Sequence, residues 1–401
     1  MTLNLFLIFG SVFFAFALVS KRIQGSLLTP PILFTLFGLG LSNMLTQNAG
    51  LTYNEGSVHT LAELTLILVL AADASQISLK KLSQMKTIPV RLLAFGLPLI
   101  ILAGTLAAKF AFPAIGWYEA ALLGAILAPT DAALGASVLA DKTVPLKIRQ
   151  GLNVESGLND GIALPAVLFF ACFLNIAHQT GGENWLAFLT LQLSLGPLIG
   201  ILIGWIGGHL IARAAKKGWM TTEFQGVAAI ALAVIAFACA ELFHGNGFIA
   251  AFIAGLTYGN LRVDYSEFMH EFTETESQFL SYLTFFLFGA LILPEAIPHM
   301  TVHMFIFAGL SLTLVRMVPV AIAMIGTGFK LPEIGFMGWF GPRGLASLLF
   351  ALLILEDLNV QQGEFIQTAV ATTVLASIIL HGITAAPISR VFGKWANKNL
   401  T

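Results

Sequence analysis

Two aspartates lie inside apolar segments of the sequence, where a charged side chain has little water to solvate it. Asp160 belongs to the run 153–161, and Asp131 follows Ala-Pro-Thr at 128–130. A charge at membrane depth costs about 2.5–3.5 kcal/mol on insertion scales and marks function by default. A buried carboxylate favours its protonated form, whereas a bound cation favours the ionised form. Either aspartate could hold a proton or a metal ion, and this competition is the chemistry of cation/proton exchange.

Oxygen ligands accompany the two aspartates. Ser156 stands one helical turn before Asp160 and shares its face, and Thr130 precedes Asp131. Pro129 lacks a backbone N–H and disrupts the helix around it, which frees carbonyl oxygens. Sodium is a hard cation that prefers oxygen ligands. The two hydroxyls alone could be helix-packing groups, but their position favours ligands. We therefore predict a cation site formed by Asp160, Asp131, Thr130 and Ser156.

Glu155 lies one turn from this site and needs a positive partner. Arg316 is the better candidate, because it is a solitary cation within a span, whereas Arg343 more plausibly offsets helix-dipole ends. A packing bridge that never touches the ion is an equally good interpretation of Glu155 and Arg316. His244 and His381 stand near span ends, where a lone histidine is more often solvated, and we assign neither a role.

The apolar residues around these groups are arranged in membrane spans. The 401-residue chain is 57% hydrophobic and 10% charged, against about 25% charged residues in soluble domains. We therefore predict a single all-α polytopic membrane domain, 1–401, without a soluble domain. The first span is expected to be retained, because its positive charges follow it. The lengths of the apolar stretches, and the Gly, Pro and charged residues that separate them, predict thirteen transmembrane helices. They lie near 3–20, 26–45, 57–76, 90–112, 118–140, 150–176, 185–212, 224–243, 247–260, 277–295, 301–327, 333–355 and 365–389.

The distribution of Lys and Arg agrees with this count. Alternate loops hold 17 of the 20 basic residues, and the opposite loops hold only Lys109. Because basic loops face the cytoplasm, we predict the N-terminus outside and the C-terminus in the cytoplasm, with the protein in the cell (inner) membrane. The polar stretch 261–277 is expected to be a cytoplasmic linker. A net charge of −1 indicates no nucleic-acid partner.

The spans must bring the polar residues to a common depth. Asp160 lies ten residues into its span, about 15 Å deep at 1.5 Å per residue and near the bilayer midplane. Pro129 and the Gly-Pro-Arg-Gly of 341–344 predict interrupted helices in spans 5 and 12. Interrupted helices in corresponding positions indicate a transporter's binding site. These two spans correspond if spans 1–6 and 8–13 form inverted repeats.

These motifs resemble those of sodium/proton antiporters of the NhaP and NHE type, in the monovalent cation/proton antiporter family. The resemblance rests on Ala-Pro-Thr-Asp at 128–131, Asn-Val-Glu-Ser-Gly-Leu-Asn-Asp-Gly at 153–161 and Gly-Pro-Arg-Gly-Leu-Ala-Ser at 341–347. The run His-Gly-Asn-Gly-Phe-Ile-Ala at 244–250 is similar to the family's short span after its eighth helix. The likeness extends over nearly the whole chain.

The resemblance implies an NhaA/NhaP-like fold, in which the two broken spans cross and a six-helix core moves past a dimerisation part. The core would comprise about 90–176 and 301–389, and the dimerisation part about 3–76 and 185–295. The protein would be a homodimer. The resemblance also implies an ion site lined by Thr130, Asp131, Ser156 and Asp160, with Glu155 paired to Arg316.

Two further positions, Asn159 and Asp73, refine this expectation. Asn159 stands where electrogenic relatives carry the first of two aspartates, so the resemblance implies electroneutral exchange of one cation for one proton. Many relatives carry a glutamate in span 3 near the ion, whereas this chain carries Asp73 in that stretch. Asp73 is either a shorter substitute or a residue that faces the cytoplasmic funnel.

We expect a secondary active transporter and not an enzyme. It would exchange Na⁺ or Li⁺ for H⁺ through Asp160 without a cofactor. Its partners would be a monovalent cation, a proton, the lipid bilayer and a second copy of the chain. A K⁺/H⁺ antiporter is the alternative, since selectivity depends on cavity size and oxygen geometry. A channel would need a path of several weak ligands, and an intramembrane hydrolase would need a base near Ser156, where no histidine lies at similar depth.

Overall fold

The computed structural model describes residues 2–23, 28–49, 56–84, 87–178, 185–261, 267–357 and 362–399. Its regular elements in these ranges are all helical, which confirms the predicted all-α class. The first helices are α1 (Thr2–Ile23), α2 (Pro30–Ala49), α3 (Gly56–Ser75), α4 (Leu79–Gln84), α5 (Thr87–Arg91), α6 (Leu97–Ala111), α7 (Trp117–Ile126), α8 (Ala132–Ala140) and α9 (Leu146–His178). A π-helical turn, Leu92–Gly96, joins α5 to α6.

Ten further helices complete the described chain. They are α10 (Trp185–Lys216), α11 (Thr222–Leu242), α12 (Gly247–Leu261), α13 (Glu267–Leu287), α14 (Leu293–Ala296), α15 (Val302–Leu312), α16 (Leu314–Ala323), α17 (Leu331–Trp339), α18 (Leu345–Asp357) and α19 (Gly363–Asn399). A second π-helical turn, Phe288–Ile292, continues α13 into α14. Pairs of short helices, such as α7 with α8, take the place of single continuous spans.

Seven helical segments of the described chain are long and apolar enough to cross a membrane, which supports a multi-pass protein. They are Thr87–Ala111, Leu146–Leu174, Thr190–Lys216, Thr222–Leu242, Thr275–His299, Val302–Ala323 and Gly363–Asn399. Gly10–Lys21 and Gly247–Leu261 are shorter apolar helices. The expected number of thirteen spans stays a prediction.

Two spans are interrupted where the sequence predicts it. Between α7 and α8 the chain contains Pro129, which cannot donate the N–H that would continue the helix. Between α17 and α18 it contains Gly341 and Pro342. The two interruptions meet, because the N–H of Asp131 donates to the carbonyl oxygen of Pro342 over 2.8 Å. The predicted pair of broken helices in contact is thereby confirmed.

Three segments differ from the expectation. The stretch 261–277 is not a linker throughout, because α13 begins at Glu267; residues 262–266 lie outside the described ranges. Span 11 is divided at Thr313, whose φ of −112° and ψ of −92° depart from helical values. The last helix runs to Asn399, past its expected end at 389.

The helices pack in two groups. In the peripheral group (α2, α3 and α10–α13), α12 packs against α10, α11 and α3, and α2 packs against α13. In the core group (α6–α9 and α15–α19), α7 packs against α6 and α9, while α19 packs against α15 and α18. The division of the chain into a dimerisation part and a moving core stays a prediction. Helices α3 and α13 of the peripheral group contact α9 and α18 of the core group, and the site described next lies there.

Candidate cation site

Asp131 lies where the two interrupted spans meet, and it caps both half-helices. Its Oδ1 accepts from the N–H groups of Ala133 (2.7 Å) and Leu134 (3.1 Å) in the first turn of α8. Its Oδ2 accepts from the N–H of Leu345, the first residue of α18, over 2.7 Å. A negative charge at a helix N-terminus offsets the positive end of the helix dipole. One carboxylate therefore serves two helix ends, a function that the sequence did not reveal.

Arg343 supplies the opposite charge at the same crossing. Its side chain is fully buried, and Nη1 donates to the carbonyl oxygens of Ala128 and Pro129, just beyond the C-terminal end of α7. A cation near a helix C-terminus offsets the negative end of the dipole. The backbone N–H of Arg343 donates to Oγ of Ser377 on α19 over 2.8 Å. The expected compensation of dipole ends by Arg343 has this geometric basis.

Gly341 and Gly344 leave space for charged side chains on either side of Arg343. A Cβ on Gly344 would overlap the carboxylate of Asp131, and one on Gly341 would overlap the guanidinium of Arg316. Neither position can accept a larger residue unless a buried charge moves. The Gly-Pro-Arg-Gly sequence is therefore a steric requirement of the crossing.

Asp160 faces a cavity of about 380 Å³ between the two helix groups. Asp73, Asp131 and Ser156 line the same cavity, and Arg149 lines it near the start of α9. Oδ1 of Asp160 is buried and has no hydrogen-bond partner among the residues that the structure describes. The fold thus brings together three aspartates that the sequence singled out, and one of them, Asp160, has a carboxylate oxygen without a hydrogen-bond partner among the described residues.

A chain of hydrogen bonds lies beside Asp160 on the buried side of the cavity. Nδ2 of Asn159 donates to Oγ1 of Thr130 over 2.6 Å, and Oγ1 of Thr130 lies 3.0 Å from Oγ of Ser156. Because Thr130 accepts from the amide, its own hydroxyl hydrogen is available for Ser156. Thr130 is buried, whereas Ser156 lines the cavity. Asn159 and Thr130 are therefore placed to orient the Ser156 hydroxyl.

Glu155 and Arg316 form the ion pair that the sequence predicts. Nη1 and Nη2 of Arg316 donate to Oε1 and Oε2 of Glu155 over 2.6 and 2.8 Å. The two side chains are only 3% and 1% exposed, and neither lines the cavity. The bidentate contact links α9 to α16 and neutralises both charges in the interior. Its position favours the packing interpretation over direct contact with an ion.

Asp73 approaches the cavity from the peripheral group. It lies on α3, and Oγ of Ser277 on α13 donates to its Oδ1 over 3.3 Å. Asp131 and Asp160 face the same cavity from the core group. A cation in the cavity would therefore meet carboxylates from both groups, and any sliding between the groups would change the distance from Asp73 to the other two.

His381 is a candidate that its sequence position did not reveal. It was expected to be solvated, but it is 1% exposed, because α19 continues well beyond it. Its Nε2 lies 3.0 Å from the carbonyl oxygen of Trp339, the last residue of α17, and its Nδ1 lies 3.2 Å from Oγ of Ser377. The helical spacing of Ser377 and His381 on a common face was the available signal.

A family model described as sodium/hydrogen exchanger, transmembrane, matches residues 8–391. Over 392 residues the chain is 24% identical to the K⁺/H⁺ antiporter NhaP of Alkalimonas amylolytica, an alignment that covers 97% of this chain and 67% of that protein. It is also 24% identical to the probable Na⁺/H⁺ antiporter C3A11.09 of Schizosaccharomyces pombe, over 72% of this chain and 43% of the relative.

Among solved structures, the sodium proton antiporter MjNhaP1 from Methanocaldococcus jannaschii at pH 8 has the same fold. The TM-score is 0.76 at 19% sequence identity, and the match covers 96% of this chain and 99% of the other. This likeness supports the NhaP-like arrangement of helices that the sequence predicts.

Proposed function

The chain belongs to the sodium/hydrogen exchanger family, and from this premise we propose that it exchanges Na⁺ or Li⁺ for H⁺ through Asp160. The observation that carries the proposal is the Oδ1 atom of Asp160, which is buried and free of hydrogen bonds within the described chain while the side chain faces the cavity. A carboxylate in this condition can take up a proton or a hard cation.

The exchange follows from competition at one carboxylate. A sodium ion in the cavity would bind Asp160, with Ser156 as a hydroxyl ligand and Asp131 as a second carboxylate. Cation and proton exclude each other, because two positive charges at one carboxylate repel strongly where water is scarce. Asp131 is already engaged by three backbone N–H groups. Asp160 is therefore the group that exchanges its proton.

One-for-one, electroneutral exchange is the expected stoichiometry. Asn159 is neutral and uses its amide to hold Thr130, so the Asn159–Asp160 pair contributes one titrating group. Each proton released at Asp160 is replaced by one monovalent cation, and the charge of the loaded site stays the same.

The proposed transport movement is a sliding of the core group past the peripheral group. The cavity is lined by Asp73 and Ser277 of the peripheral group and by Asp131 and Asp160 of the core group, so relative movement would carry the site across the membrane. The protein would be a homodimer in the cell (inner) membrane, and the peripheral group would form the interface between the two copies. The excess of basic residues in alternate loops supports an external N-terminus and a cytoplasmic C-terminus.

Potassium is the second candidate ion. A relative at 24% identity is named a K⁺/H⁺ antiporter, and the same carboxylate could bind K⁺. The coordinating oxygens would then stand farther apart, because K⁺ is the larger ion. Comparison of the three ions at equal ionic strength discriminates between the candidates.

The test is proton movement in vesicles that contain the purified full chain and a pH-sensitive dye. An imposed Na⁺, Li⁺ or K⁺ gradient should move protons, and Asp160→Asn should abolish this movement. Asp141→Asn is the matched control, because its carboxylate caps the Thr143 turn and does not line the cavity. It should retain exchange.

Two further outcomes of the vesicle experiment decide between mechanisms. Cation flux that needs no proton counter-flow would contradict exchange in favour of a channel. Electroneutral exchange predicts the same initial rate when the membrane potential is clamped at zero or at a large value. A rate that follows the potential would contradict one-for-one stoichiometry while leaving exchange intact.

A further inference from the structure

The extended segment between α17 and α18 is held by two residues of α19. At its start, the carbonyl oxygen of Trp339 lies 3.0 Å from Nε2 of His381. Near its end, the N–H of Arg343 donates to Oγ of Ser377 over 2.8 Å. Ser377 and His381 are one helical turn apart, and Oγ of the serine lies 3.2 Å from Nδ1 of the histidine. The two contacts therefore bracket the interruption.

Both ring nitrogens of His381 lie near oxygen atoms. Nε2 lies 3.0 Å from the carbonyl oxygen of Trp339, and Nδ1 lies 3.2 Å from Oγ of Ser377 and 3.1 Å from the carbonyl oxygen of the same serine. In the tautomer with hydrogen on Nε2, the imidazole donates to Trp339, and Nδ1 can accept the hydroxyl hydrogen of Ser377. In that tautomer, hydrogen bonds run continuously from the end of α17 through His381 and Ser377 to Arg343.

The same segment also contacts the other interrupted span. The Arg343 side chain donates to the carbonyl oxygens of Ala128 and Pro129, and the N–H of Leu345 donates to Asp131. The segment therefore contacts both α19 and the cation site. A displacement at Trp339 or Arg343 would alter the cap on Asp131.

We propose that His381, together with Ser377, is a positioning residue of the cation site. The two side chains hold the segment between α17 and α18 in the conformation that places Arg343 and Leu345 against the other broken span. The proposal rests on the exchange function proposed above. His381 does not line the cavity and acts through the backbone of the interruption. Its loss should weaken cation binding and not merely reduce stability.

The experiment measures cation binding without transport. The full chain in detergent is unfolded thermally at rising NaCl, LiCl or KCl, with choline chloride holding ionic strength constant. A ligand that binds the folded state raises the unfolding temperature with its concentration. His381→Ala and Ser377→Ala should each raise the half-maximal cation concentration about tenfold, since a buried hydrogen bond is lost at the support of the site. His381→Gln, whose amide can still donate to Trp339, should recover most of the loss.

Thr373→Val is the matched control. Oγ1 of Thr373 donates to the carbonyl oxygen of Ala369 over 2.8 Å within α19, so this variant removes a buried side-chain hydrogen bond from the same helix that involves no residue of the interruption. Its half-maximal concentration should stay within about twofold of the wild type, because the contacts of Trp339 and Arg343 with α19 are unchanged.

Failure of the inference is distinguishable from failure of the proposed function. Wild-type vesicles without cation-driven proton movement would refute exchange, and the inference with it. Exchange in the wild type with unchanged half-maximal concentrations in His381→Ala and Ser377→Ala would overturn the positioning role alone. A lower unfolding temperature at every salt concentration, with the same half-maximal value, would also overturn it. If His381→Ala does not fold, Ser377→Ala and His381→Gln decide by the same titration.

Discussion

The N–H of Leu345 donates to Oδ2 of Asp131 over 2.7 Å and joins two interrupted spans through one carboxylate. The other oxygen of Asp131 accepts from Ala133 and Leu134. In the same cavity, Oδ1 of Asp160 has no hydrogen-bond partner within the described chain. Two aspartates that look alike in sequence therefore differ in their hydrogen bonds: Asp131 accepts from three backbone N–H groups, whereas Oδ1 of Asp160 accepts from none of the described residues.

This difference predicts opposite effects on stability. Asp131→Asn would turn an amide N–H₂ toward backbone donors and should destabilise the protein by about 2–3 kcal/mol, as for other hydrogen bonds to charged groups. Asp160→Asn should leave stability unchanged or raise it, because it removes a buried charge without a hydrogen-bond partner. Both should stop exchange. Thermal unfolding in detergent checks the contrast, and equal stability losses would contradict it.

Gly344→Ala should disable transport through geometry alone. The added methyl group would overlap the Asp131 carboxylate, and displacement by about 1 Å at a functional centre can cost about a hundredfold in rate. Gly335→Ala in α17 is the control, because nothing lies within 4 Å of its added Cβ. Proton movement in vesicles gives both rates. Normal exchange in Gly344→Ala would show that the crossing relaxes without harm.

The Glu155–Arg316 pair should show strong coupling in a double-mutant cycle. Removal of one partner leaves a buried, unpaired charge and should cost about 3–5 kcal/mol. Glu155→Gln combined with Arg316→Met removes both charges, and should cost much less than the sum of the single changes. Unfolding of the four proteins supplies the cycle. Additive losses would mean that the bidentate contact contributes nothing.

Ser156→Ala should weaken cation binding by about three- to tenfold, because it removes a hydroxyl ligand from the cavity and the hydrogen bond to Thr130. Ser137→Ala on the neighbouring half-helix α8 is the matched control, since Oγ of Ser137 is buried without a partner among the described residues. Cation-dependent thermal stabilisation compares the two. Equal shifts for both serines would exclude Ser156 as a ligand.

Competition at Asp160 predicts the direction of the pH response. Acidic solution fills the carboxylate with protons, so a one-unit fall in pH should raise the half-saturating cation concentration by up to about tenfold for one competing proton. The maximal rate at saturating cation should fall much less. Initial rates over a matrix of pH and cation concentrations test this. A half-saturating concentration that is constant across the matrix would contradict competition.

Much of the fold could be predicted because its causes are local. Pro129 removes a backbone donor, and Gly341 with Pro342 disfavours a continuous helix, so both interruptions were expected. Arg316 was expected to pair with Glu155 because few mid-span cations compete for it. The division of span 11 at Thr313 was not expected, since its cause is not visible in the residues around it.

By itself, the sequence determined the membrane class, the two interruptions and the identity of the carboxylates, because apolar length, proline and buried charge act on the chain locally. Only the tertiary structure decided which aspartate is capped and which is free. The donor that closes the cap of Asp131 belongs to Leu345, 214 positions away along the chain. His381 likewise becomes part of the site's support through Trp339, 42 positions earlier. A hydrogen bond depends on the distance and the angle between donor and acceptor in space, and the spacing of two residues along the sequence determines neither quantity.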